Sequence, residues 1–143
     1  MRPIWTSLAA IAIGCFGLID SGYLTIKHLQ GSFIRCGDEC SAVLGSRYAE
    51  GIWGIPLAGF GAMAYAAVIV AGAMAAGGLS AGRRVLIIIV PVMALVSLWL
   101  VYLQAFVIHS FCKYCLASAV ASLALAALVT SEWLLRRPRT GPE

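Results

Sequence analysis

Four stretches of predominantly apolar residues, at 4–26, 54–77, 85–108 and 112–135, constrain this chain more than any other feature. Each reaches the roughly 20 residues that a helix needs to cross a bilayer. Hydrocarbon offers no partner to backbone N–H and C=O groups, so an open chain crosses it only as a helix. Composition argues against a soluble alternative. With 62% apolar and 11% charged residues in a length of 143, the chain carries more apolar surface than a soluble domain of this size can bury. The sequence predicts an all-α integral membrane protein: a four-transmembrane-helix bundle in which residues 1–143 form a single domain.

The connections differ in kind. Residues 79–84 and 109–111 read as tight turns, so the second, third and fourth blocks are expected to be antiparallel neighbours. Pro56 suits the first turn of a helix, and Pro91 is expected to kink the third block or mark its first turns. Residues 27–53 form one long polar loop without obvious periodicity, a length usually kept for function. The net charge of +4 does not point to nucleic acid, because the basic residues are dispersed between the apolar blocks. They instead set orientation. Arg2, Arg83, Arg84, Arg136, Arg137 and Arg139 fall on the side of both termini, against Lys27, Arg35, Arg47 and Lys113 opposite. That excess predicts cytoplasmic termini and an extracytoplasmic loop 27–53. Ala12-Ile13-Gly14-Cys15 faintly resembles a lipoprotein signal. It lacks the usual leucine, and the apolar run continues past it.

Four of the five cysteines come in pairs. Cys112 and Cys115 bracket Lys113-Tyr114 where the fourth block begins. Unpaired amides and the helix dipole favour a thiolate at such a position, and Lys113 adds a positive charge. The spacing also lets the second thiol resolve a mixed disulfide formed at the first. Cys115 is expected a turn deeper than Cys112, at the membrane boundary. Cys36 and Cys40 lie among charged and small residues of the loop, so they are expected to be accessible to a soluble protein. Two dithiols on the outward side make an electron relay from a soluble partner to a membrane carrier. The same cysteines also allow a four-cysteine zinc site or two inert disulfides in a structural subunit. A thiol-based metal transporter, of the kind that passes mercury between thiolates, is a further alternative. Such carriers pair cysteines in their first helix, where Cys15 stands alone, and Cys15 reads as a packing residue.

Several segments in order resemble the vitamin K epoxide reductase family, in its bacterial and archaeal branch. They are Gly22-Tyr23-Leu24-Thr25, Cys36 with Cys40-Ser41-Ala42-Val43-Leu44-Gly45-Ser46, Gly54-Ile55-Pro56-Leu57-Ala58-Gly59-Phe60-Gly61 with Tyr65, and Cys112-Lys113-Tyr114-Cys115. The resemblance implies a four-helix bundle around a quinone, ubiquinone or menaquinone, with no metal. It implies that Cys115 is the thiol nearest the quinone, that Cys112 exchanges with Cys40, and that Cys36 meets a partner's cysteine. Ser46 and Phe60 match residues at the quinone pocket. The implied activity is that of a quinone-dependent thiol oxidoreductase supporting disulfide formation outside the cytoplasm, in a prokaryotic inner membrane. The implied partner is a DsbA-like or other thioredoxin-fold protein acting in trans. Leu57 stands where the animal enzymes carry a quinone-binding asparagine, and the Cys36/Cys40 spacing is tighter than theirs. Both departures weigh against vitamin K epoxide as a substrate.

Three polar residues stay open at this point. Asp20 is either a functional buried charge or a cap at the outer end of the first helix. His28 and His109 are expected at the outward rim, solvated. Trp5, Trp53 and Trp133 fall near block ends as interfacial anchors do, whereas Trp99 does not.

Overall fold

The structure, a computed structural model, describes residues 4–31 and 37–136. Their order is α1 (Ile4–Leu29), α2 (Asp38–Leu44), α3 (Leu57–Ala76), α4 (Ser80–Leu103), a π-helical turn (Gln104–Ile108) and α5 (Lys113–Arg136). Four helices, with α4 taken through the π turn, are long and apolar enough to cross a membrane. Beyond helix, one isolated antiparallel bridge joins Ile52 to Ile55 among the described residues.

α1 packs against α3 and α5, and α4 packs against the same two helices, so the bundle closes as a ring. Lipid tails are as apolar as leucine, so close packing rather than water exclusion holds such helices together. Small residues supply that closeness. A Cβ at Gly17 would fall inside the Tyr65 ring, and one at Gly82 would collide with the α3 backbone at Ala71 and Ala75. The core thus formed centres on Tyr65, Val68, Val90 and Leu125. Ile19, Ile88, Leu95 and Trp99 face outward, as a lipid-bathed surface requires.

Several boundaries differ from those read in the sequence. α4 begins at Ser80 rather than at Val85, so Arg83 and Arg84 are helical and the turn shrinks to Gly77–Leu79. Gly78 makes that turn with φ +85°. At the rim of the bundle Arg83 faces Glu132 of α5 at 3.9 Å, while Glu132 also pairs with Arg136 at 2.9 Å. Pro91 sits in the interior of α4, not in its first turns. The long loop is not featureless, since α2 forms within it.

The end of α4 is also unlike the plain turn expected there. Its last residues widen into the π turn, which His109 terminates in the left-handed region at φ 54°. The Gln104 carbonyl accepts the Ser110 N–H at 3.2 Å. Single π turns inside long helices often mark functional positions, because they re-aim the side chains around them.

Candidate functional site

α5 starts on Cys112, which serves as its cap. The Cys112 carbonyl accepts the Leu116 N–H at 3.0 Å, and its sulfur accepts the Cys115 N–H at 3.4 Å. Sulfur stands here where a serine or aspartate oxygen usually closes the first turn. From the other side, the Cys112 N–H donates to Oε1 of Gln104 at 3.0 Å. The π turn therefore presents a buried glutamine to the backbone of the dithiol.

Cys112 and Cys115 are both free thiols, and Cys112 is 0% exposed. The Cys112 thiol is lowered to about 7 from its ordinary 9.0. Hydrogen bonding from the Cys115 side chain is the main cause, and burial opposes it. The Cys115 and Tyr114 backbone amides lower it further, and the Asp20 carboxylate pushes it back up. Lys113 is exposed, and hydrogen bonds rather than its charge produce the lowering.

Cys40 is disulfide-bonded. Contrary to the expected accessibility, it is 0% exposed and packs with Val43 and Cys112. The reason lies in the periodicity of α2. Cys40, Val43 and Leu44 fall on its inner face, while Asp38, Glu39, Ser41 and Ala42 face out. The i, i+3, i+4 spacing turns one stripe inward even in so short a helix. Cys36 lies outside the described residues. Cys112 is thus flanked by Cys40 on one side and Cys115 on the other.

Below this sulfur cluster lies an apolar cavity of about 270 Å³. Cys115 lines it and Cys112 does not, so the two thiols of one motif face different neighbours. Val43 and Leu44 of α2, with Ser46 and Tyr48 beyond it, form the cover over the cavity. The remaining wall includes Ser21 and Leu24 of α1, Leu57 and Phe60 of α3, Val96 and Leu100 of α4, and Ser118 of α5. Ser46 and Phe60, which the resemblance matches to quinone-pocket residues, both line this cavity. The Ser46 hydroxyl donates to the Val43 carbonyl at 2.7 Å. Leu57 brings no polar group to the wall.

Two residues that sequence reasoning did not single out matter here. Gln104 is 2% exposed, lines the cavity and holds the Cys112 amide. Its signal was present: a lone amide side chain in an apolar block, eight positions before the first cysteine of the pair. Ser122 closes a hydroxyl cluster. The Tyr65 hydroxyl donates to the Ser118 carbonyl at 2.7 Å and meets Ser122 Oγ at 2.8 Å, tying α3 to α5 across the cavity floor.

Asp20 is buried, and α1 runs on past it to Leu29, so it does not cap the helix end. His109 is exposed at the rim and His28 is half-buried there. Cys15 is an exposed free thiol on the outer surface of α1, not a packing residue of the core.

Comparison with known families agrees with this architecture. Residues 8–130 match the Vitamin K epoxide reductase family, whose members are oxidoreductases.

Proposed function

Because the chain belongs to the Vitamin K epoxide reductase family, and so is a membrane oxidoreductase, we propose that it couples disulfide formation outside the cytoplasm to reduction of a membrane quinone. One observation carries this reading. The Cys112 sulfur packs against Cys40 while its helix partner Cys115 lines an apolar cavity. A thiol with a disulfide sulfur on one side and a second thiol on the other is placed for serial exchange.

The chemistry follows from the groups present. A thioredoxin-fold partner transfers its electrons by thiol–disulfide exchange to the Cys36/Cys40 pair. The reduced Cys40 then attacks Cys112 of the oxidised Cys112–Cys115 disulfide, and Cys115 leaves as the thiolate. Cys36 resolves the Cys40–Cys112 mixed disulfide, so the loop pair is oxidised again and Cys112 departs as a thiolate, which its hydrogen bonds and its pKa near 7 favour. The Cys112/Cys115 dithiol now holds the two electrons and is reset by passing them onward.

The cavity suits a quinone ring as the acceptor. Its walls are apolar, its size is close to the roughly 300 Å³ at the small end of ligand pockets, and Gln104 and Ser118 offer polar atoms to ring carbonyls. A bound quinone supplies the capacity to take two electrons and two protons. Leu24 packs with Cys115, and Val43 of α2 packs with Cys112, which keeps water from the sulfurs and protects the exchange from competing reactions. Leu57 supplies no hydrogen bond, which favours quinone over vitamin K epoxide.

The location proposed is a prokaryotic inner membrane with cytoplasmic termini, the chain taking its place in the bacterial branch of the family. The direct test uses purified protein, a ubiquinone or menaquinone analogue and a reduced thioredoxin-fold substrate, with quinone absorbance followed over time. Quinone loss that requires all four cysteines is the expected result. A wild type that leaves the quinone oxidised would end this reading.

A further inference from the structure

The oxidation of a dithiol inside a membrane raises a question of protons. Two S–H bonds break as one S–S bond forms, and the surroundings of Cys112 and Cys115 are largely apolar. Asp20 stands out against that background. It is 9% exposed, and its Oδ2 has no hydrogen-bond partner among the described residues. An unpaired carboxyl at such depth is costly and marks function more often than structure. Leu29, where α1 ends, lies about 14 Å further along the helix at 1.5 Å per residue, so Asp20 is remote from the helix end.

Its direction is fixed by its neighbours on α1. Gly17 and Ser21 face α3, against Tyr65 and Gly61. Tyr23, one turn outward, meets Tyr114 of the cysteine motif with ring centroids 5.3 Å apart. Leu24 packs with Tyr114 and Cys115. Asp20 lies on the same flank as Tyr23 and Leu24, turned toward α5. The other titratable or charged groups near this flank are Tyr23 and Lys27 of α1, Tyr65 of α3 and Tyr114 of α5. Lys27 holds its ammonium over the Tyr23 ring, 5.9 Å from the centroid. Asp38, Glu39 and Glu50 are exposed, and Glu132 belongs to the opposite end. Among the described residues, no other carboxyl is buried at this end.

We propose that Asp20 is the proton acceptor of the Cys112/Cys115 dithiol, its free Oδ2 taking a thiol proton as the pair is oxidised. This rests on the reading of that pair as the inner redox centre. In the step, one thiol S–H bond breaks and an O–H bond forms on Asp20. The second S–H bond breaks as the S–S bond forms between Cys112 and Cys115, and the two electrons and both protons, one of them by way of Oδ2, go to the quinone acceptor of the proposed function, which restores the carboxylate. Ser21, next in sequence, lines the cavity, so the carboxyl sits one residue behind the wall across which the proton must travel.

Two readouts on the full chain in lipid nanodiscs test this, with Asp20→Asn and Asp20→Glu beside the wild type. The first needs no quinone: the pH dependence of Cys112 alkylation by iodoacetamide, followed by mass spectrometry. Removing the carboxylate in Asp20→Asn is expected to move the alkylation midpoint to lower pH, because the Asp20 charge holds the thiol up. The second is quinone reduction. Asp20→Asn is expected to fall at least about tenfold at neutral pH, the scale of a lost proton-transfer group, with partial recovery by added formate, while Asp20→Glu stays within about threefold. A thiol that ionises more easily while turnover slows is not what loss of packing produces. An unchanged alkylation profile, or wild-type turnover in Asp20→Asn, overturns the proposal. Should Asp20→Asn not insert, Asp20→Glu decides alone. A carboxylate one methylene longer shifts the alkylation profile if it exchanges protons with the dithiol, and leaves it in place if it only fills space. A wild type silent toward quinone, but with the alkylation shift intact, sinks the quinone reading and leaves Asp20 tied to the dithiol.

Discussion

At the end of the bundle where α3 turns into α4, the helices close directly on one another. Gly82 of α4 lies on the α3 backbone at Ala71 and Ala75, and Gly72 of α3 lies against Ile11 of α1. At the other end the same helices part around a cavity of about 270 Å³ and hold Asp20, Gln104 and Ser122 buried between them. At its rim the first end carries the Arg83, Glu132 and Arg136 cluster. The second is hollow and polar inside. Close contact between small residues is what a membrane bundle can use for cohesion, and the open end carries groups that cost stability. The tight end holds the helices in register so that the hollow end can keep Cys40, Cys112 and Cys115 together.

If the two ends divide the labour in this way, substitutions at each should damage different properties. The largest effect belongs to Cys115→Ala. Quinone reduction is expected to fall to background, at least about a hundredfold, as for loss of a nucleophile. Its thermal unfolding midpoint should stay near that of wild type, since the change removes one sulfur atom from a side chain that already borders the cavity. Retained turnover would remove this thiol from the relay. Gly82→Val should do the reverse. The added methyls meet backbone that cannot rotate away, at a cost of about 1–3 kcal/mol. Denaturation in mixed micelles should register that loss, while turnover per folded molecule stays close to wild type. Turnover lost in step with Gly82 packing would dissolve the contrast between the ends.

The tight end was almost fully legible in the sequence, because its determinants are local. Block length and hydropathy located four helices. The misplaced start of α4 has a specific cause. Arg83 and Arg84 read as loop residues until Glu132, nearly fifty positions away, is seen to neutralise the first of them. The hollow end was legible in its chemistry but not in its arrangement. The four paired cysteines, Ser46 and Phe60 were visible as residues and motifs. That Cys40 is buried could not be read from its charged neighbours, because burial depends on the docking of α2 onto Ile108 and Cys112. Gln104 escaped for the same reason: the π turn that aims it at Cys112 is a tertiary adjustment with no periodicity of its own.

Gln104 offers a sharper probe of how the hollow end works. Wild-type Cys112 is expected to alkylate with a midpoint near pH 7 rather than near 9, following its lowered pKa. The sign is that of a group whose charged form is favoured by folding. The stabilising contribution is complete above the ordinary thiol range and is lost as pH falls through about 7. Gln104→Leu removes the acceptor of the Cys112 N–H and leaves a buried donor unsatisfied, at about 1–3 kcal/mol. The start of α5 should loosen, weaken the amide hydrogen bonds to the Cys112 sulfur and move the alkylation midpoint upward. Slower quinone reduction, by roughly tenfold, should accompany it. A midpoint that does not move would show that the cap geometry survives without Gln104.

Ser46→Ala is the mildest of these changes and tests how much the cover over the cavity depends on one bond. The hydroxyl donates to the Val43 carbonyl at the end of α2, a local contact worth about 0.5–1.5 kcal/mol. If its role is to hold the cover, the variant should raise the KM for quinone a few-fold and leave the rate at saturation unchanged. If the oxygen instead meets the reacting ring, kcat should fall and KM should stay. The two outcomes separate a residue that shapes the hollow end from one that works inside it. The first is the better match to a hydroxyl whose proton is already committed to the backbone.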